Sequence, residues 1–234
     1  VLTQTERARA AAPSEKLVLG VIGVRGRGAH LAKGFAERPD CEIAYVADVD
    51  STLFPSRIPE ITETQGKEPK TVQDLRKILD DKSVDAIVVA TPDHWHALAT
   101  VWGCQAGKHV YVEKPVSHSP WEGRQMVNAA RKYDRVVQVG TQNRSAEYNR
   151  AAKEYLDSGK LGSIHMCRVY NQKQWGNQPA VEDSPTPKGV DYDLWTGPAQ
   201  LRPFNKNRFH SRWHHFWEFS GGDIINDGVH QMDL

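Results

Sequence analysis

The sequence predicts an α/β fold that begins with a doubly wound parallel sheet. Three observations lead there. Short apolar runs recur through the first 140 residues: LVLGVI (17–22), EIAYVADVD (42–50), VDAIVVATP (84–92), HVYVEKP (109–115) and RVVQVG (135–140). Helical stretches separate them. The runs stay apolar instead of alternating with polar residues, as strands buried on both faces do. Helices cover both faces of such a sheet, and ligands bind at the carboxyl ends of its strands.

The elements follow in order. LVLGVI is the first strand, and a glycine-rich turn leads from it into a helix from about Ala29 to Glu37. EIAYVADVD is the second strand and ends in acids. Residues 51–70 read as helix and loop, because Pro55 and Pro59 interrupt the pattern. Thr71 to Leu79 reads as a short helix. VDAIVVATP is the third strand, and HWHALATVWGCQA is a helix ended by Gly107. After HVYVEKP, Ser119 at the N-cap, Pro120 at the first helical position and Glu122 form a capping box. That helix runs to about Tyr133. Beyond Gly140, residues 146–158 read as a helix and IHMCRVYNQ (164–172) as a strand. Residues 172–222 are rich in Trp, Pro, Asn and His with little periodicity, which reads as long loops. The final HQMDL reads as helical. The expected organisation is a leader over 1–16, a nucleotide-binding domain over 17–142 and a second domain over 143–234.

Composition excludes several classes. The formal net charge of +1 gives no basic excess for nucleic acid. No run of 18 apolar residues is present, so no membrane span is expected. Cys41, Cys104 and Cys167 are odd in number and far apart, unlike a disulfide framework or a clustered metal site. Residues 1–16 are polar and Ala-rich. Ala8-Arg9-Ala10 and Ala10-Ala11-Ala12 match the small-x-small pattern that precedes signal-peptidase cleavage. Export to the periplasm and a cytoplasmic location with a plain leader both stay open.

The first turn, GVIGVRGRGAH, carries an incomplete dinucleotide fingerprint. Gly23 takes the first glycine position and Gly28 the third, but Arg25 stands at the second. Gly26 is placed to take over the close backbone approach. Arg25 and Arg27 add positive charge at a helix N-terminus that already favours phosphate. Asp48 closes the second strand 20 residues after Gly28. An acid there hydrogen-bonds ribose hydroxyls and repels a 2′-phosphate. With no Arg after it, NAD is the expected cofactor, and Arg25 keeps NADP open.

Lys114 stands at the carboxyl end of a strand, directly before Pro115, with Glu113 before it. Near a nicotinamide, such a lysine can donate, accept or clamp the proton of a hydroxyl under oxidation. Glu113 is placed to pair with Lys114 or to contact the cofactor ribose.

VIGVRGRG, DVD, VATPDHWHA, VEKP and GGDIINDGVHQMDL occur in this order. Together, over about residues 17–234, they resemble the glucose-fructose oxidoreductase, inositol dehydrogenase and rhizopine-catabolism (Gfo/Idh/MocA) family. The resemblance implies a Rossmann domain and a second α/β domain built on a large open sheet, of which this chain is expected to hold only part. It implies NAD(P)-dependent oxidation or reduction of a sugar or polyol hydroxyl. Lys114 is implied as the catalytic lysine of the E-K-P motif, often with a cis bond to Pro115. Thr91, Pro92 and His96 are implied to line the cofactor site. His230 matches a histidine that serves the substrate hydroxyl with an aspartate four residues earlier. Here that position is Asn226, and Asp227 follows it. Assembly into dimers or tetramers through the second domain is also implied.

Alternatives stay open. Some relatives hydrolyse glycosides by transient oxidation with bound NAD. Loss of the motif acid at Asn226 suits a non-catalytic dinucleotide sensor. His94 and His96 form an H-x-H at a strand end, which a metal-dependent hydrolase would use. On a helix, however, positions i and i+2 do not share a face, so no metal is expected. FHSRWHHFWEF (209–219) sets His210, His214 and His215 among aromatics. His210 and His214 have metal-ligand spacing on a helix, but an aromatic core or sugar-stacking wall is expected. Arg144, Tyr170 and Trp175 are further candidates for facing the substrate.

Overall fold

A computed structural model of the chain describes residues 16–170, 179–210 and 212–233. Six parallel strands form one sheet: β1 (Leu17–Ile22), β2 (Cys41–Ala47), β3 (Lys70–Val72), β4 (Ala86–Val89), β5 (His109–Glu113) and β6 (Val137–Gly140). Their order across the sheet is β3-β2-β1-β4-β5-β6. Chain direction across the sheet reverses between β1 and β4, which opens a crevice at their carboxyl ends.

Alternate residues of the central strands go to opposite faces, because the side-chain period of a strand is two. Val21 of β1 and Val88 of β4 bury with Ala32, Ile43, Ile58 and Ile61 on one side. Ile22, Ile87 and Val89 bury with Ile78, Trp95, Cys104, Val112 and Met126 on the other. The helices that supply these layers are α1 (Arg27–Ala36), α2 (Phe54–Gln65), α3 (Arg76–Asp80), α4 (Asp93–Gln105) and α5 (Pro120–Lys132). The capping box of α5 forms as expected: Glu122 accepts from the Ser119 backbone N–H at 2.9 Å, and the Ser119 hydroxyl accepts from that of Glu122.

Three expectations need correction. Thr71 to Leu79 is not one helix. Thr71 and Val72 pair with Val46 and Ala47 as part of β3, and α3 starts only at Arg76. The β-branched pair gains a ladder partner there that its own sequence did not announce. Second, Pro59 does not stop α2. Pro55 lies in the first turn, where its missing N–H costs nothing, while burial of Ile58 and Ile61 carries the helix past Pro59. Third, residues 164–170 are not a strand, and 171–172 lie outside the described residues. Among the described residues no strand pairs with 164–170, and Ile164, Met166 and Tyr170 are exposed.

Beyond β6 come α6 (Glu147–Asp157), α7 (Tyr192–Thr196), α8 (Asp223–Asn226) and α9 (Val229–Met232). Tyr192, Trp195, Phe204, Phe209, Trp213 and Phe219 pack into an aromatic core of their own. This unit docks on the carboxyl end of the sheet. Asp191 N–H donates to the Val49 carbonyl at 2.8 Å, and Ser51 N–H to that of Gly189 at 2.9 Å. Trp95 Nε1 donates to the carbonyls of Leu194 and Trp195 at 3.0 and 3.1 Å. Gly197, at φ 49°, lies so close under the Trp95 ring that any Cβ would collide with it. No helix among the described residues is long and apolar enough to cross a membrane.

The turn between β1 and α1 has equally little room. A Cβ on Gly28 would overlap the Gly23 carbonyl oxygen. Gly28→Ala should therefore force α1 away from β1 and destabilise the fold by about 1–3 kcal/mol. Chemical denaturation followed by circular dichroism measures this, and an unchanged midpoint would show that the turn yields.

Candidate functional site

A cavity of about 610 Å³ runs along the carboxyl ends of β2, β1, β4 and β5 and passes beneath the docked aromatic unit. That volume lies within the usual range for small-molecule and cofactor sites. Its first wall is the glycine turn. Gly23 has φ 84°, and a Cβ there would lie 2.7 Å from the Ala90 carbonyl oxygen. Gly26 precedes the first residue of α1, and a Cβ on it would meet nothing within 4 Å. Gly26 lines the cavity, with open space on its Cβ side. Arg25 and Arg27 line the same wall, whereas Gly28 is buried behind it.

Asp48 lies at the far end, just beyond β2. Its Oδ2 accepts the Val24 N–H at 2.8 Å and its Oδ1 the Asp50 N–H at 3.0 Å. Burial pushes this carboxyl above its ordinary pKa, and the two backbone hydrogen bonds pull against that shift. After β4, Thr91, Pro92 and Asp93 line the cavity. Asp93 is only 2% exposed, and its Oδ2 has no hydrogen-bond partner. Burial raises its pKa, with His96 foremost among the groups that oppose the shift. Asp93 is not among the residues that the sequence motifs single out. Its position as the first residue of a helix after an apolar strand was the available signal.

Lys114 and Glu113 stand at the end of β5, and the Lys114–Pro115 peptide is cis. Glu113 is 4% exposed and pairs through Oε1 with Arg27 Nε at 2.8 Å. Its Oε2 accepts the Lys114 backbone N–H at 3.2 Å. Burial opposes the charge on Arg27, but Glu113 more than restores it, so Arg27 serves that carboxylate as well as the cavity. The Lys114 ammonium donates to Asn226 twice, to its backbone carbonyl at 2.7 Å and to its side-chain Oδ1 at 2.8 Å.

That arrangement revises the expected role of Asn226. Its side-chain oxygen holds Lys114, and His230 Nδ1 is buried without a hydrogen-bond partner. Burial, then the Lys114 charge, lower the His230 pKa, while Glu113 and Asp227 oppose them. Asn226 lines the cavity, whereas Asp227 and His230 do not.

Several other candidates lie elsewhere. His96 does not face the cavity. Its ring is 1% exposed and bridges the loops after β4 and β5, with Nδ1 2.6 Å from the Pro115 carbonyl and Nε2 2.9 Å from that of Thr91. His94 turns the other way, and its Nε2 lies 3.1 Å from the Trp195 carbonyl. Among the described residues no group of three His, Cys, Asp or Glu is placed to hold a metal ion. Arg144 forms a surface ion pair with Asp233, and Tyr170 is 67% exposed. Neither lines the cavity. Trp175 lies outside the described residues. In the 209–219 stretch, Phe209, Trp213 and Phe219 are core, while His210, Trp213 and His214 also line the cavity.

The strand order, the glycine turn and the acid beyond β2 together define a dinucleotide-binding α/β protein. The cavity fits such a cofactor: open backbone at Gly26 for the pyrophosphate and Asp48 for the adenosine ribose. Family models place the protein further. One described as oxidoreductase family, NAD-binding Rossmann fold, matches residues 17–141. A second, for the C-terminal alpha/beta domain of the same family, matches 152–234. The chain belongs to the Gfo/Idh/MocA oxidoreductase family. It is 30% identical over 169 residues to a levoglucosan dehydrogenase of Pseudarthrobacter phenanthrenivorans, covering 70% of this chain and 43% of that protein. It is 26% identical over 174 residues to a myo-inositol 2-dehydrogenase of Thermotoga maritima, covering 74% and 47%. The solved structure of GenD2 from gentamicin A biosynthesis, in complex with NAD, superposes with a TM-score of 0.58 at 27% identity, covering 66% and 43%. The chain thus spans about half the length of the curated relatives it matches.

His94 sits where the docked unit meets the sheet, against Trp195 and Phe219. Burial lowers its pKa from 6.5 to about 4, although the Trp195 carbonyl favours the protonated ring. The unfolded chain therefore takes up a proton between these values that the folded one refuses. The His94 contribution to stability is complete above pH 6.5 and should fall by on the order of 3 kcal/mol as pH drops to about 4. Melting temperatures across that window should fall more steeply for the wild type than for His94→Gln. Parallel slopes would remove His94 as the titrating group.

Proposed function

We propose that the protein is an NAD-dependent oxidoreductase acting on a hydroxyl-bearing carbon of a sugar or polyol. The observation that carries this reading is Lys114, whose ammonium opens on the same cavity as Asp48 and the glycine turn, at the end of β5. The nicotinamide, when bound, accepts or supplies the hydride. Phosphates would lie against Gly26 and Arg25, and the ribose hydroxyls of the adenosine against Asp48. The nicotinamide end would then fall between Thr91, Pro92 and Lys114.

Lys114 handles the proton of the substrate hydroxyl. Asn226, one of its partners, is a neutral amide that orients the ammonium without adding a negative charge beside it. A positive group aimed at the reacting oxygen stabilises the negative charge that develops there. Glu113 is tied to Arg27 and to the Lys114 backbone, which fixes the end of β5 beneath that ammonium. The sugar or polyol class is supported by the levoglucosan and myo-inositol dehydrogenases among the relatives. The chemistry of the site agrees, since a lysine serves a hydroxyl and needs no anion on the substrate.

Lys114→Ala removes the proton-handling group but leaves Asp48 and the glycine turn untouched. Turnover on a panel of polyols and sugars should fall by about 10²–10⁴-fold. NADH affinity, read by nicotinamide fluorescence, should stay within about threefold, a change of under 1 kcal/mol. Retained turnover would refute the role of Lys114.

A further inference from the structure

The loop after β2 carries two acids, one on the cavity and one behind it: Asp50 lines a second pocket, which it shares with His210. Asp48 lines the cavity, and each of its carboxylate oxygens accepts a backbone N–H, one from Val24 and one from Asp50. The Asp50 backbone therefore sets the angle at which Asp48 is presented. Asp50 is itself 5% exposed. Its Oδ1 accepts the Thr52 N–H at 3.0 Å and also the Thr52 hydroxyl. Its Oδ2 accepts from His210 Nε2 at 2.7 Å, across 160 residues of sequence.

His210 is held for this contact. It has φ 64°, a left-handed conformation that costs a non-glycine residue about 1–3 kcal/mol and persists only where the surroundings impose it. Its ring lies against Phe209, with centroids 3.7 Å apart, and Phe209 belongs to the aromatic core of the docked unit. His210 also lines the cavity, as do Arg25 and Asp48. Burial would raise the Asp50 carboxyl, but hydrogen bonds from Thr52 and His210 hold it below the usual range. Burial likewise lowers His210, with Arg25 adding to the effect and Asp50 opposing it. His210 thus lines the cavity while its Nε2 anchors the carboxylate behind Asp48.

We infer that His210 is a positioning residue for cofactor selection. By pinning Asp50 it aims Asp48 at the free 2′-hydroxyl of an adenosine ribose, and Asp48, with the Asp50 charge behind it, turns away a 2′-phosphate. Without His210, the Asp50 carboxylate keeps its Thr52 bonds but loses its Oδ2 partner, and the N–H it presents to Asp48 is held less firmly. The bond to the ribose hydroxyl weakens, and the negative field that excludes a 2′-phosphate spreads into solvent. The second unit, not the Rossmann sheet alone, then sets the preference between the two dinucleotides. This inference rests on the dinucleotide reading of the cavity and not on the sugar reading.

The test is a pair of binding titrations, NADH and NADPH, by nicotinamide fluorescence at neutral pH on the wild type and three variants. His210→Ala should weaken NADH about tenfold, the worth of one charge-assisted hydrogen bond. NADPH should change less, so that the ratio of the two affinities narrows. His210→Gln, whose amide nitrogen can occupy the place of Nε2, should restore most of the ratio. Asp50→Asn keeps an oxygen for Thr52 and removes one charge, and should also narrow the ratio even if His210→Ala fails to fold. A merely structural His210 would lower the melting temperature and leave the ratio at its wild-type value in every variant, which would overturn the inference. A wild type that binds neither dinucleotide would overturn the cofactor reading and this inference together.

Discussion

The close approach of backbone to backbone at the switch point governs everything around the cavity. Gly23 is pressed against the Ala90 carbonyl, and Gly28 against the carbonyl of Gly23. No side chain fits at either contact. Because α1 can then start directly above the gap between β1 and β4, its N-terminus opens on the crevice where the ends of β2, β4 and β5 converge. Asp48, Thr91 and Lys114 belong to three different strand ends, and one cavity joins them only because the helix enters here. Arg25 at the middle fingerprint position does not disturb this. The close approach is needed at Gly23 and Gly28, and Gly26 supplies the open backbone between them.

The lysine end is organised by a neutral partner. An aspartate at position 226 would have placed a carboxylate where the Asn226 amide stands against Lys114. Asn226 offers two oxygens, one from the backbone and one from the side chain, at 2.7 and 2.8 Å. Both oxygens orient the ammonium. His230, with its pKa lowered by burial and by Lys114, adds no second positive charge near neutrality. The departure from the family motif thus leaves a lysine whose ammonium is held by two Asn226 oxygens.

Sequence patterning revealed much of the sheet and the strand-end half of the site. Long apolar runs declare buried parallel strands by themselves, and motif residues at their carboxyl ends share one cavity by topology. Thr91, Pro92, Glu113 and Lys114 were legible for that reason. Short elements were not. Three residues of β3 carry too little pattern to outweigh the helix that follows them, and Pro59 looked like a break because the burial of Ile58 and Ile61 is a tertiary fact. His96 was misplaced for a related reason. Helical spacing put it near the strand end but could not say that its ring would turn inward to bridge Thr91 and Pro115. Contacts across more than a hundred residues, such as Lys114 with Asn226 or His210 with Asp50, leave no local periodicity to read.

Those long-range contacts also explain why the second unit sits where it does. It buries few aliphatic groups against the sheet and is held by directed hydrogen bonds: Trp95 and His94 to the carbonyls at 194 and 195, and the backbone at 189–191 to the loop after β2. Directed bonds fix position to a few tenths of an ångström, where an apolar face would permit sliding. The positions they fix are those of the cavity wall, since Trp195, Gly197 and His210 all line it. A shift of the aromatic unit would therefore move the roof of the cavity and the partner of Asp50 together. Docking of the second unit and the shape of the dinucleotide site are one structural variable.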